Sequence, residues 1–311
     1  LILLSPSPLS GGSGAVRTGV RMDLRVDLRY EIDAQGADFI FHIHAANTAC
    51  QTVLSESLRL SQPIAPRMAL DPATGNRSLR LRALPGELLL HYTASVDVEH
   101  HRMDPTLVGE VPVCRLPAEA IPYLYPSRYC QSDQLTAMAC QLFGGHWQGH
   151  GRVQAIQAWV QQHMRFTPNT SNSATSALDT LQSRVGVCRD FAHLMIALCR
   201  ALNIPARFVT ATDYGADPAL GPPDFHAYVE AYLGDRWYLF DPSGTAIPMG
   251  LMRLATGRDA ADVAFATVFG GVRTHAPGIH SEARLGGLPH HVLPTRTRDA
   301  LSTDGGRGLP G

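Results

Sequence analysis

The sequence has few of the features that would commit it to a membrane, a nucleic acid or a disulfide framework. Its six cysteines, at positions 50, 114, 130, 140, 188 and 199 of 311 residues, include no C-x-x-C pair and are too sparse for a stapled secreted scaffold. Reduced thiols and a cytoplasmic setting are therefore expected. No apolar run approaches the ~20 residues that cross a bilayer. Charged residues make up 17% of the chain, the net charge is -1 and no Lys/Arg run stands out, which leaves no electrostatic hold on nucleic acid or anionic lipid. Neither nucleic acid nor membrane is an expected partner, and there is no internal repeat.

A hydrophobic content of 45% over this length buries one full core and a second, unequal one. The opening Leu1-Ile2-Leu3-Leu4 lacks a basic flank and runs into Ser, Pro and Gly up to Gly14, unlike a secretory signal. Residues 1–21 read as a disordered or non-native extension, with Met22 as the start. From Met22 to Ile32 apolar residues alternate strictly with Asp, Arg and Glu, the pattern of a half-buried strand. The strand signal repeats over 38–46, 52–60, 78–84 and 87–98, which makes 22–110 an antiparallel β domain. Pro112, Pro117, Pro122 and Pro126 then mark a linker over 111–131.

Beyond the linker, helical patterns cover 132–143, 152–166, 175–183 and 189–202. Strand patterns cover 206–212, 226–233 and 236–240, with Gly234-Asp235 as the tight turn between the last two. This region, 132–271, reads as a second, α+β domain with a helix packed on an antiparallel sheet. Residues 272–311, rich in Gly, Pro, His and Arg without periodicity, read as a disordered tail.

The chemistry concentrates in the second domain. Cys188 follows Gly186-Val187 and opens an apolar helix, so its sulfur meets unpaired backbone N–H groups and the helix dipole, both of which favour a thiolate. The same N–H groups suit the oxyanion of a tetrahedral intermediate. His226 leads a strand, and Asp241 ends the partner strand, roughly opposite across the hairpin. An imidazole held by a carboxylate at one nitrogen can take the thiol proton with the other and return it to a leaving amine. Taken singly, each of the three reads as structural; the joint register gives the Cys-His-Asp reading. Tyr228, on the face of His226, and Trp237, on the face of Asp241, are candidate supports. Cys199, deep in the helix, reads as a packing thiol.

Two weaker constellations stand outside this set. His42 and His44, with Asp97, Glu99 and His101, lie on strand faces and read as solvent-facing surface, since no ligand set closes a metal site. Asp213, Asp217 and Asp224 precede His226 in a stretch without Lys or Arg. They read as a solvated, turn-forming loop, with attraction for an amine-bearing substrate as the alternative.

The stretches Gly186-Val187-Cys188-Arg189-Asp190-Phe191-Ala192-His193, Asp224-Phe225-His226-Ala227-Tyr228-Val229-Glu230 and Trp237-Tyr238-Leu239-Phe240-Asp241-Pro242 resemble the three core motifs of the bacterial transglutaminase-like superfamily. The resemblance spans about residues 125–271, and the β-rich segment ahead of it is similar to the N-terminal domain of bacterial members. It implies a papain-like α+β core, with Cys188 as nucleophile, His226 as base and Asp241 as orienter, and with Gln182 as a possible oxyanion donor. The implied activity is cysteine-dependent hydrolysis of an amide or isopeptide bond in a peptide, protein or small amide, through a thioester. The alternatives are acyl transfer to an amine acceptor and a non-catalytic binding module. No metal or organic cofactor is implied.

Overall fold

Alternation of apolar and charged side chains builds the first half of the protein. In the computed structural model, which describes residues 17–215, 224–286 and 290–305, strand β1 (Arg17–Ile32) buries Met22, Leu24, Val26, Leu28, Tyr30 and Ile32. Their partners follow on the long strand β6, and the strands between are β2 (Ala37–Phe41), β3 (Gln51–Leu60), β4 (Arg67–Leu70) and β5 (Arg77–Ala83). Strand β6 (Gly86–Met103) runs antiparallel to β1, with Val26 opposite Tyr92 and Leu28 opposite Leu90, so both strands turn their apolar sets to one side. Strand β3 flanks β6, while β2, β5 and β4 form a second sheet. The two sheets enclose a core that includes Met22, Leu24, Phe39, Phe41, Leu79 and Tyr92, a sandwich arrangement.

The expected linker is a packed layer. Residues 111–131 form 3-10 turns, and Ala120 and Tyr123 are buried against Tyr232 and Trp237. Proline breaks the helix and strand patterns there, but short turns can still bury aromatic side chains. Helices α1 (Thr136–Phe143) and α2 (His150–His163) follow, then strand β7 (Arg165–Phe166), α3 (Ala177–Ser183), β8 (Val185–Gly186) and α4 (Cys188–Ala201). Strands β9 (Ala206–Asp213), β10 (His226–Leu233), β11 (Arg236–Phe240) and β12 (Leu251–Gly257) complete an antiparallel sheet in the order β11-β10-β9-β12.

Helix α4 packs on β9 and β10. Phe191, Leu194, Met195 and Leu198 lie at most 1% exposed in a core shared with Val153, Ile156 and Val160 of α2. The helix stops where Asn203 takes a left-handed conformation (φ 61°), with Ile204 N–H donating to the Cys199 carbonyl at 3.0 Å and Asn203 N–H to that of Arg200 at 2.9 Å. This double closure satisfies the last carbonyls.

After the short helix α5 (Ala260–Val263) the chain returns to the first half. Strand β13 (Ala266–Phe269) pairs with β2, β14 (Val272–Thr274) and β15 (Gly278–Arg284) pair with β1, and β16 (Ala300–Ser302) pairs with β6. The disordered tail expected from residue 272 is thus corrected for these strands. Main-chain hydrogen bonds along the free edge of β1 hold β15, whose inward residue is Ile279, and such pairing leaves no strong alternation in sequence. The expected 1–21 extension also changes: Arg17 to Arg21 belong to β1, and residues 1–16 lie outside the described residues.

Strand β12 ties the halves together. Its bulge between Arg253 and Ala255 turns Leu254, with Met252, into the core of the sandwich. Its outer backbone is met by two amide side chains of the first half. Gln51 donates from Nε2 to the Arg253 carbonyl (2.8 Å) and accepts the Arg253 N–H (3.0 Å). Asn76 does the same for Thr256 (2.7 and 2.8 Å). Each amide acts as a one-residue strand on an edge that would otherwise bury unpaired groups.

Gln51→Ala removes the acceptor of the buried Arg253 N–H, while the Arg253 carbonyl keeps the Ala46 N–H at 3.0 Å, and is expected to lower unfolding free energy by about 1–3 kcal/mol, with less loss for the more exposed Asn76→Ala. Urea titration reads both, and an unchanged Gln51→Ala midpoint would contradict this account of β12. Burial also pushes His44, His100 and His150 down from 6.5 to about 4. These rings are neutral when folded but free to protonate when unfolded, so their contribution is full above pH 6.5 and drains away as pH falls towards 4. A loss of a few kcal/mol across that window is expected from denaturation at a series of pH values.

Candidate active site

The segment that carries Cys188 is fixed from both sides before the helix begins. Strand β8 pairs in parallel with β7, Thr167 N–H donating to the Gly186 carbonyl at 2.9 Å. Asp190, fully buried in the first turn of α4, accepts from Val187 N–H (2.9 Å) and from the Ser171 hydroxyl (2.8 Å). The helical ladder opens with Phe191 N–H to the Val187 carbonyl (3.1 Å), and Asp190 N–H also donates to that carbonyl (3.0 Å). The N–H groups of Cys188 and Arg189 therefore precede the ladder, at the positive end of the dipole. Gly186 is required by space: a Cβ there would lie 2.8 Å from Asp190 Cβ and 3.0 Å from its Oδ2.

Strand β10 brings the second group. The half-buried Cys188 has its Sγ 4.0 Å from the Phe225 carbonyl oxygen, and the next residue is His226. His226 Nε2 lies 3.2 Å from Asp241 Oδ1. The register places Val229 opposite Phe240, so Asp241 falls across from Tyr228 and reaches His226 along the diagonal. The pair expected roughly opposite each other is thus offset by two residues, which keeps both groups on one face.

Asp241 is held on every side. Its Oδ1 also accepts from Ser243 N–H (3.1 Å) and Ser243 Oγ (2.6 Å), its Oδ2 accepts from Ala246 N–H (3.0 Å), and its backbone carbonyl accepts from Gln161 Nε2 of α2 (3.0 Å). Burial alone would raise this carboxyl, but the charge and hydrogen bond of His226, with Ser243 and Ala246, keep it below its usual range. Burial alone would lower His226. The Asp241 carboxylate and its hydrogen bond, and the adjoining Cys188 thiol, outweigh burial and raise the imidazole well above 6.5.

A further carboxylate stands at the other ring nitrogen. Asp213 Oδ2 lies 3.8 Å from His226 Nδ1, with a side chain only 7% exposed. Strand register again explains it: Ala211 faces His226, so Asp213, two residues on, occupies the diagonal on the opposite flank from Asp241. The solvated-loop expectation is therefore corrected for Asp213, which ends β9 because that strand runs on beside β12. Burial raises its carboxyl, the His226 charge lowers it and the Asp241 charge raises it, with a net upward shift. Asp217 lies outside the described residues.

The remaining candidates have other surroundings. Gln182 is exposed on α3. Tyr228 is buried, with its hydroxyl donating to Glu230 Oε1 at 3.4 Å. Trp237 faces Tyr232 across the hairpin, six residues and so about 20 Å along β10 from His226, and carries the Arg207 guanidinium 4.2 Å over its ring. As a support of the site it is corrected to a packing residue. His193 accepts from Ala260 N–H at 3.1 Å and stacks on Tyr129. His44 is a further correction, being buried against the Tyr92 ring.

Beneath the site lies a network that sequence reading did not find. Glu230, fully buried, accepts from Arg207 Nε (2.7 Å) and from Arg253, and these charges lower its carboxyl against the burial that would raise it. It joins β9, β10 and β12. The only sequence signal was an acidic residue on an otherwise apolar strand.

Two family models match the chain: the transglutaminase-like superfamily over residues 137–242 and the bacterial transglutaminase N-terminal domain over residues 20–119. A solved structure from Cytophaga hutchinsonii, described as "a putative cysteine protease", is 36% identical with a TM-score of 0.83 and covers 92% of this chain and 99% of its own. An uncharacterized protein of Mycobacterium leprae is 28% identical over 194 residues, 59% of this chain and 68% of its own length. The periplasmic domain of TgpA from Pseudomonas aeruginosa is 18% identical, covering 81% of this chain and 92% of its own at a TM-score of 0.33, too loose a likeness to carry an argument.

Gly186→Ala should push the Asp190 carboxylate off Val187 N–H and cost about 1–3 kcal/mol through overpacking. Thermal unfolding checks the stability, and iodoacetamide labelling with peptide mapping checks Cys188, which should lose reactivity relative to the exposed Cys114 and Cys140. A variant with unchanged melting and labelling would show that the close approach is not needed.

Proposed function

The chain belongs to the transglutaminase-like superfamily, and from that premise we propose that it is a cysteine-dependent hydrolase of amide or isopeptide bonds. The observation that carries the reading is the position of Cys188 at the start of α4 beside His226, with Asp241 bound to the far nitrogen of the ring. In this reading His226 Nδ1 takes the thiol proton and Sγ attacks the carbonyl carbon. The free N–H groups of the first turn receive the oxyanion. Collapse breaks the C–N bond as the imidazolium protonates the leaving amine, which leaves a thioester. Water, deprotonated by His226, then releases the acid and restores the thiol.

The environment of the other buried thiols supports the choice of nucleophile. Cys130 and Cys199 are fully buried, and burial pushes both thiols up, Cys130 to about 12. A buried thiol of that kind is a poor nucleophile. The reading includes a cytoplasmic location, on the sparse cysteines of the sequence without a C-x-x-C pair. Substrates would be peptides, proteins or small amides.

Turnover of a peptide and amide library by wild type and Cys188→Ala, with and without added amine, tests the reading. Loss of turnover by about a thousandfold or more in the variant is expected, and identical behaviour of the two proteins across the library would sink it. The raised imidazole also sets the pH profile. His226 must carry its proton to release the amine, so activity is lost as pH rises through its folded pKa, and the basic limb of kcat/KM should lie above 6.5. Asp241→Asn removes the main stabilising charge and should move that limb to lower pH.

A further inference from the structure

Asp213 is not needed for the three-residue scheme, yet it is buried and placed diagonally from His226 on the flank opposite Asp241. Its Oδ2 is 3.8 Å from Nδ1, too far for a direct hydrogen bond and suited to a polar atom bridging the two. Nδ1 is the nitrogen that Asp241 leaves to the reacting groups. An atom about 3 Å from both Nδ1 and Oδ2 would stand where, in the proposed scheme, the leaving or attacking group meets the imidazole. We infer that Asp213 is a specificity-determining residue that accepts the second N–H of a primary amine at this position, a reading that rests on the proposed thioester chemistry.

The proton count explains the selectivity. When a primary amine attacks the thioester, the C–N bond forms and the C–S bond breaks, with its electron pair returning to Sγ. One amine proton passes to Nδ1. The second remains on nitrogen and donates to Asp213, both as the nitrogen turns cationic and in the amide product. A secondary amine has no second N–H to offer. By microscopic reversibility, the amides cleaved are those that release ammonia or a primary amine, such as a carboxamide or lysine isopeptide, rather than amides of secondary amines.

The chain itself has no lysine among its 311 residues, so no ε-amine of the enzyme competes with an added acceptor. The test loads Cys188 of the full chain with an acetyl group from p-nitrophenyl acetate, followed by the nitrophenolate burst. The acyl-enzyme is then partitioned between propylamine and its isomer N-methylethylamine, and the amide products are counted. Wild type should favour the primary amine, and Asp213→Ala should reduce that preference about tenfold, the loss expected for one charge-assisted hydrogen bond. Asp213→Asn, isosteric and neutral, is the second variant should the first fold poorly, and should shift the ratio in the same direction. An unchanged ratio, or equal loss of both products, would overturn the inference and leave Asp213 as a support for the ring. Absence of any acetyl burst that depends on Cys188 in wild type would instead overturn the proposed function.

Discussion

The docking of α4 onto β9 and β10 is the contact on which the site depends. The apolar face of the helix fixes the height and angle of its first turn, and the same sheet carries His226 at the start of β10. The thiol and the imidazole are therefore placed by packing of the whole core rather than by the few bonds they make with each other. Rigid placement of this kind holds two side chains in a fixed geometry without relying on a bond between them. The Asp190 carboxylate and the two-residue β7–β8 pair complete the constraint at the point where the chain enters the helix.

The sandwich in the first half belongs to the same argument. Strand β12 borders β9, and β9 carries Asp213 and lies beside His226. By covering the β12 backbone with Gln51 and Asn76 and drawing Met252 and Leu254 into its core, the sandwich fixes the sheet from behind. The buried Glu230, bound to Arg207 and Arg253, adds a charged tie across the same three strands. Such a cluster contributes little net stability but is costly to leave incomplete. It holds register in a sheet whose diagonal contacts define the site.

Much of this was legible in the sequence, because its signals are local. The alternation of β1 and β6, the stripe of α4 and the Gly234-Asp235 turn each lie within one element, and the observed elements follow them closely. The three motif stretches are local as well. Strands β14, β15 and β16 were not legible, because edge pairing needs only backbone groups and a free neighbour. Asp213 read as a loop acid because its partner lies across a strand, and Trp237 read as a site residue because face alternation says nothing about distance along the strand.

The sequence by itself determined which elements form and which side chains share a face, since backbone periodicity and turn chemistry act over a few residues. It also determined that a cysteine would open the apolar helix. Only the tertiary structure decided that a second carboxylate flanks the imidazole, that amide side chains close the edge of the sheet, and that the chain's last strands return to its first. Those facts depend on register and on edges meeting between segments far apart in the chain, which no local pattern encodes.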